Sequence, residues 1–98
     1  MSDILNALNQ KIGVMGEDNK VRNAQNVVIG SVLNNGDVWN LERKIGNVDG
    51  RGYVYEGGTH IGTVTNDGMV RDYNNHPVGK VKGSHLQSGG AALLLLLR

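Results

Sequence analysis

The sequence predicts an all-β fold made of four internally repeated β-hairpins around a pseudo-fourfold axis. A motif Ile-Gly-x-Val recurs every 16–17 residues, a second valine recurs between its copies, and pairs of Asn, Asp and Gly separate them. Valine and isoleucine favour strands, and Asn-Gly or Asp-Gly pairs favour tight hairpin turns. With 98 residues the chain is long enough for one small domain. We divide it into an N-terminal segment, a repeat domain, a linker and a tail, at 1–16, 17–83, 84–90 and 91–98.

The N-terminal segment, residues 1–16, is predicted to be a short helix or strand. Ile4, Leu8 and Ile12 recur at the four-residue spacing of one helix face, and Ser2 or Asp3 is a suitable N-cap. The segment lacks a basic start followed by a long apolar run, so we expect no signal peptide and a cytoplasmic location.

The repeat domain, residues 17–83, contains the motif at 29–32, 45–48 and 61–64 and a variant at 78–81, and a degenerate extra copy lies upstream of the domain at 12–15. The second valine is Val21, Val38, Val54 and Val70. A single hairpin cannot bury enough surface to be stable, so we expect the repeated apolar residues to share one core. Isoleucine and valine three residues apart point to opposite faces of a regular strand. Either both faces are buried between hairpins, or the glycine hosts a bulge that turns both inward.

A glycine-containing linker, residues 84–90, leads to an apolar polyleucine tail at 91–98. As a helix the apolar run reaches only ~10 Å, too little for a bilayer core of ~30 Å. The tail could dock on its own domain, on a sister subunit or on a membrane. Because exposed leucines promote aggregation, we predict a homo-oligomer held by this tail. The residues assigned to oligomerisation are Leu93, Leu94, Leu95, Leu96 and Leu97.

Four residues that directly follow the second valine form a candidate ligand-binding ring. They are Arg22, Trp39, Tyr55 and Arg71. Two cations and two aromatic rings on one face can bind a small ligand, such as a saccharide or an anion, by stacking and ion pairing. The alternative interpretation is packing at the rims of the hairpins.

Composition and motifs favour a protein that is not an enzyme. Ten Lys and Arg against nine Asp and Glu, with no basic run, give no support for nucleic-acid binding, and the absence of cysteine excludes disulfides and thiol catalysis. His60 and His76 precede two of the motifs, but Val28 and Lys44 stand at the other two, so we interpret the histidines as solvated turn residues. Serine nucleophile, calcium-loop and phosphate-loop motifs are missing. We therefore predict no catalytic residue, no metal and no cofactor.

The repeats resemble the bacterial 4-fold beta flower family. The resemblance covers about residues 17–92 and is carried by VIGSVLNNGDVWN, RGYVYEGGTHIGTV and NDGMVRDYNNHPVGKVKG, with Gly89-Gly90 before the tail. It implies a small all-β protein with pseudo-fourfold hairpins and no established activity. The chain departs from the family pattern because its Ile-Gly-x-Val strands lack aromatic residues and its tail is polyleucine rather than proline-rich.

Together these observations predict a non-enzymatic structural or interaction module that self-associates through its tail, with an unknown protein partner also possible. One alternative is a small-ligand or saccharide-binding module that uses the Arg/Trp/Tyr ring. Another is peripheral membrane attachment through the tail, which we expect less because the charged Arg98 opposes deep insertion.

Overall fold

A computed structural model describes residues 1–97 and shows ten antiparallel strands closed into a barrel. Each strand pairs with its neighbours along the chain, and β1 pairs with β10 to close the ring. The all-β fold predicted from the sequence is confirmed. The strands are β1 (Ser2–Asn6), β2 (Lys11–Met15), β3 (Lys20–Asn23), β4 (Val28–Val32), β5 (Asp37–Asn40), β6 (Lys44–Val48), β7 (Tyr53–Glu56), β8 (Thr59–Val64), β9 (Met69–Asp72) and β10 (Pro77–Lys82).

The core follows from side-chain alternation along these strands. Each odd-numbered strand contributes one aliphatic residue to the core cluster, and each even-numbered strand turns inward the glycine of its motif and the residue two positions later. Strand β1 buries Ser2 and Leu5 in addition. The predicted core valines Val21, Val38, Val54 and Val70 are all fully buried. The repeated second valine is therefore confirmed as core.

The predicted fourfold arrangement is not confirmed, because ten strands form five hairpins. The additional hairpin is the N-terminal segment, which forms β1 and β2. Ile4 pairs with Gly13 in the register that Val38 and Gly46 occupy in the third hairpin. Leu8, which suggested a helix face, lies in the turn between β1 and β2 and is exposed.

Each hairpin contains a register shift at the motif. In the third hairpin Val38 faces Gly46 while Trp39 faces Lys44, so Ile45 is an extra residue on β6. Gly46 and Val48 are buried, whereas Ile45 is half-buried against the core. The bulge therefore accommodates the isoleucine and leaves the glycine and the valine of each motif facing inward.

Antiparallel connections place the turns of the five hairpins at one end of the barrel and the links between hairpins at the other. We call the first the open end; its turns comprise residues 7–10, 24–27, 41–43, 57–58 and 73–76. We call the second the capped end, because helix α1 (Leu86–Ala92) lies over it. Gln87 Nε2 donates a hydrogen bond of 3.0 Å to the Gly50 carbonyl there.

Helix α1 continues without a break into a π-helical segment, Leu93–Leu97, which we call the leucine turn. It lies inside the barrel: Leu93 and Leu94 are buried, and the next three leucines are half-buried. Within the predicted linker, residues 86–90 are helical. The predicted tail ends with Arg98, which lies outside the described residues.

A small polar network fixes the start of the chain to the start of this helix. The fully buried Ser2 accepts a hydrogen bond of 2.8 Å from the His85 backbone N–H. Glu17 binds both the Met1 ammonium, at 2.5 Å, and His85 Nε2, at 3.1 Å.

No helix within residues 1–97 is long and apolar enough to cross a membrane.

Candidate functional sites

The five leucines pack against the five motif glycines, one leucine for each hairpin. A Cβ atom placed on any of these glycines would lie 2.6–2.9 Å from a leucine methyl group. The pairs are Leu93 with Gly79, Leu94 with Gly62, Leu95 with Gly46, Leu96 with Gly30 and Leu97 with Gly13. A carbonyl oxygen of the neighbouring strand would lie closer still to each added Cβ, so the motif glycine makes room both for that strand and for the leucine turn. The relation between glycines and leucines was not predicted from the sequence.

The winding of the leucine turn matches this arrangement. Five hairpins in a closed ring stand about 72° apart, whereas successive α-helical residues are rotated by about 100°. A π-helix closes wider i→i+5 hydrogen-bonded rings, so each residue turns through a smaller angle. Leu93–Leu97 adopts that conformation, and its successive side chains meet successive hairpins.

An arc of exposed apolar residues lies on the turns at the open end. The arc consists of Leu8, Val27 and Leu41, which are 78%, 55% and 72% exposed on the turns of the first three hairpins. Those same hairpins contribute Gly13, Gly30 and Gly46, which face the half-buried Leu97, Leu96 and Leu95. The arc and the half-buried leucines thus belong to the same three hairpins, on one side of the open end.

The candidate ring residues lie on four different strands around the outside of the barrel. Arg22 pairs with Asp18 at 3.1 Å, and Arg71 donates to the Asn75 carbonyl at 3.3 Å, each within its own part of the wall. Trp39 is 37% exposed on β5. The side chain of Tyr55 instead joins an aromatic cluster, described next.

All three tyrosines of the chain gather around one histidine on the outer face of β7 and β8, with Tyr73 reaching it from the turn after β9. The His60 ring centre lies 5.2 Å from that of Tyr53, 5.7 Å from Tyr55 and 6.1 Å from Tyr73. The Arg51 guanidinium lies 4.7 Å from the centre of the Tyr53 ring. We call His60 and the three tyrosines the aromatic cluster. His60 is thus a strand residue packed among rings, and its interpretation as a solvated turn residue is wrong.

The Asp49 carboxylate is hydrogen-bonded to two tyrosines of the cluster and to Arg51. It accepts hydrogen bonds from the backbone N–H groups of Tyr53 and Arg51, binds the Arg51 guanidinium at 3.4 Å and lies 3.4 Å from the Tyr55 hydroxyl. Desolvation alone would raise the pKa of this carboxyl, but the donated hydrogen bonds outweigh it and hold the pKa of Asp49 below its usual value. An ionised Asp49 therefore neutralises Arg51.

A shallow hollow of about 480 Å³ opens between His60 and Tyr73, and Thr59 and Ile61 complete its lining. Tyr73 is 72% exposed, so most of its ring is accessible. Aromatic side chains with polar tips are frequent at binding sites because they combine apolar area with hydrogen bonding. The cluster therefore has the components of a small-ligand site: an apolar wall and a few polar groups.

Metal chemistry has no counterpart in this arrangement. Within residues 1–97, no group of three or more His, Asp and Glu side chains is close enough to hold a metal ion. His76 lies in the last open-end turn, where its side chain is 76% exposed, 3.9 Å from Asp72.

Comparison of the chain with protein-family models, curated proteins and solved structures gives no match. The resemblance to the 4-fold beta flower family therefore stays a prediction.

The sequence carried only part of the signal for these sites. Tyr53 and Tyr55 stand two residues apart on a predicted strand, which indicates a shared face. His60 and Tyr73 reach them through the register of β7, β8 and β9. The only sequence signal for the pairing of leucines with glycines was their equal number. The chain has five consecutive leucines, and it has five motif copies when the degenerate one at 12–15 is included.

Proposed function

We propose that this protein is a non-enzymatic interaction module that self-associates through the open end of its barrel. The observation that carries the proposal is the arc of exposed Leu8, Val27 and Leu41, which lies on the same three hairpins that face the half-buried leucines. Exposed apolar side chains that lie close together mark association surfaces in soluble proteins.

The features of this surface favour a second copy of the chain as the partner. A twofold axis across the open end brings the arc of one copy against the arc of the other, which makes an isologous interface. The turn that carries Leu41 also carries Glu42 and Arg43, so both signs of charge are present for pairing across the axis. The formal net charge of +1 leaves little repulsion between copies.

The leucine turn has two roles in this proposal. Leu93 and Leu94 fill the barrel of their own chain, as their burial indicates. Leu95, Leu96 and Leu97 supply the floor of the interface and become fully buried on association. The tail thus contributes to assembly while remaining in its own barrel.

Light scattering after size exclusion tests the proposal. We expect the wild type to be a dimer or a larger defined oligomer, and the Leu8→Ser/Leu41→Ser variant to be a monomer with an unchanged circular dichroism spectrum. Leu33→Ser is the matched control, because Leu33 is 39% exposed at the capped end, where the substitution should leave the subunit number unchanged.

A wild-type monomer at high protein concentration would overturn the proposal. So would an oligomer that persists in the double variant. Flotation of the wild type with lipid vesicles, abolished by Leu8→Ser/Leu41→Ser, would assign the apolar surface to a membrane instead.

A further inference from the structure

We propose that the aromatic cluster binds a neutral saccharide, with a pyranose ring stacked on Tyr73 in the hollow beside His60. The site and the self-association surface use different residues, because the aromatic cluster lies on the fourth and fifth hairpins and the apolar arc lies on the first three. The inference does not depend on the oligomeric state.

The first argument is the shape of the hollow. It measures about 480 Å³, within the ~300–1,000 Å³ range of small-molecule sites, and it is shallow rather than enclosed. Tyr73 presents one broad exposed ring on its wall, and His60 meets that ring nearly edge-on, at an interplanar angle of 76°. A flat ligand with an apolar face fits such an angled pair of rings.

The second argument is the support of the cluster. His60 is held between Tyr53 and Tyr55, and its Nε2 lies 3.4 Å from the Thr63 hydroxyl, so its ring is fixed before a ligand arrives. Pre-ordered rings lose little side-chain entropy on binding. Packing of this kind gives the hollow one rigid wall opposite the accessible ring of Tyr73.

The third argument is charge. The polar groups lining the hollow are the Thr59 hydroxyl, the His60 imidazole and the Tyr73 phenol, and none of the four described residues that line it is a Lys, Arg, Asp or Glu. Arg51, the cation next to the cluster, is paired with Asp49. An anion would find the Arg51 guanidinium already paired with Asp49, and a cation would be repelled by it. A pyranose ring carries no charge, its C–H face packs on an aromatic ring, and its hydroxyls can bond the polar groups of the hollow.

Titration of the ¹⁵N-labelled full chain with cellobiose, maltose, lactose and N,N′-diacetylchitobiose tests the inference. We expect at least one of these sugars to shift the amide resonances of Thr59, Ile61 and Tyr73, with a dissociation constant of about 1 mM or below. Tyr73→Ala should weaken that binding about tenfold, and Tyr73→Phe should retain it because the stacking face remains.

Leu41→Ala is the matched control. Leu41 and Tyr73 are both 72% exposed and occupy open-end turns of different hairpins. Leu41→Ala should keep saccharide binding even where it weakens self-association, so failure of one proposal does not imply failure of the other. The inference is overturned if none of the four sugars shifts these resonances at concentrations well above 1 mM, or if Tyr73→Ala binds as the wild type does.

Discussion

The wall of the barrel and the leucine turn inside it are both repetitive, but different things specify them. The wall repeats a hairpin five times, and alternation and turn residues define each copy. The leucine turn repeats one residue five times and has no alternation of its own. Its position is defined by the space that the motif glycines leave, so one ring of glycines links the repeated hairpins to the repeated leucines.

The largest effect is expected from removing the leucine turn, since the wall is then left without the residues that fill it. A chain ending at Ser88 leaves the five glycines facing an empty interior. A fully buried leucine contributes ~1.5–3 kcal/mol, and a small domain has a net stability of only ~5–15 kcal/mol. We therefore expect the truncated chain to lose cooperative thermal unfolding, as measured by circular dichroism.

A synthetic peptide of residues 84–98 serves as the control for truncation. If the wall needs the leucine turn, this peptide should restore strand signal and cooperativity when it is added to the truncated chain. A truncated protein that unfolds cooperatively at the wild-type temperature would show that the wall stands without its filling.

A smaller effect is expected from altering one contact between wall and filling. A Cβ on Gly46 would lie 2.8 Å from a Leu95 methyl group and would also press on the Tyr55 carbonyl oxygen. We expect Gly46→Ala to lower the free energy of unfolding by about 1–3 kcal/mol, the usual cost of overpacking, in urea denaturation. Gly50→Ala is the control: a Cβ there meets nothing within 4 Å, and the change should stay within about 0.5 kcal/mol. Equal effects at the two glycines would contradict the steric role of the motif glycine.

The smallest effect is expected from the ion pairs of Glu17, which join the wall to the residue that precedes helix α1. The Met1 ammonium and His85, both bound to Glu17, hold the pKa of this carboxyl below its ordinary value of 4.5. A lowered pKa means that the native state favours the ionised form, so this stabilisation is complete above about pH 4.5 and is lost as the pH falls through the lower native pKa. We expect Glu17→Gln to lower the melting temperature slightly at pH 7.

The difference in melting temperature between the wild type and Glu17→Gln should shrink as the pH falls below about 4.5. Glu42→Gln, in an exposed open-end turn, is the control and should show no such pH-dependent difference. A difference that is constant from pH 7 to pH 3 would show that the ion pairs of Glu17 do not contribute.

Much of the wall could be predicted from the sequence because its signals are local. The buried valines, the turn pairs and the hairpin period are each visible within about 16 residues. The first hairpin was missed because Ile4 takes the place of the valine and Leu8 imitates a helix face. Without it the ring has four hairpins, too few to match five leucines.

The position of the leucines and the aromatic cluster could not be predicted because both depend on closure of the ring. Leu97 reaches Gly13 across 84 positions of sequence, a contact that no local pattern encodes. Tyr73 reaches His60 only through the pairing of β8 with β9. Sequence patterns indicated which residues are apolar or aromatic, and the three-dimensional ring determined which of them meet.

The order of elements along the chain also constrains synthesis on the ribosome. All ten strands precede the helix that fills them, so every part of the wall is made before its core is available. At ~5–20 residues per second, about a second or more separates the end of β10 from the last leucine. During that interval the inward-facing valines of the nascent strands have no leucine turn to pack against, so the complete core can form only after the last leucine has been added.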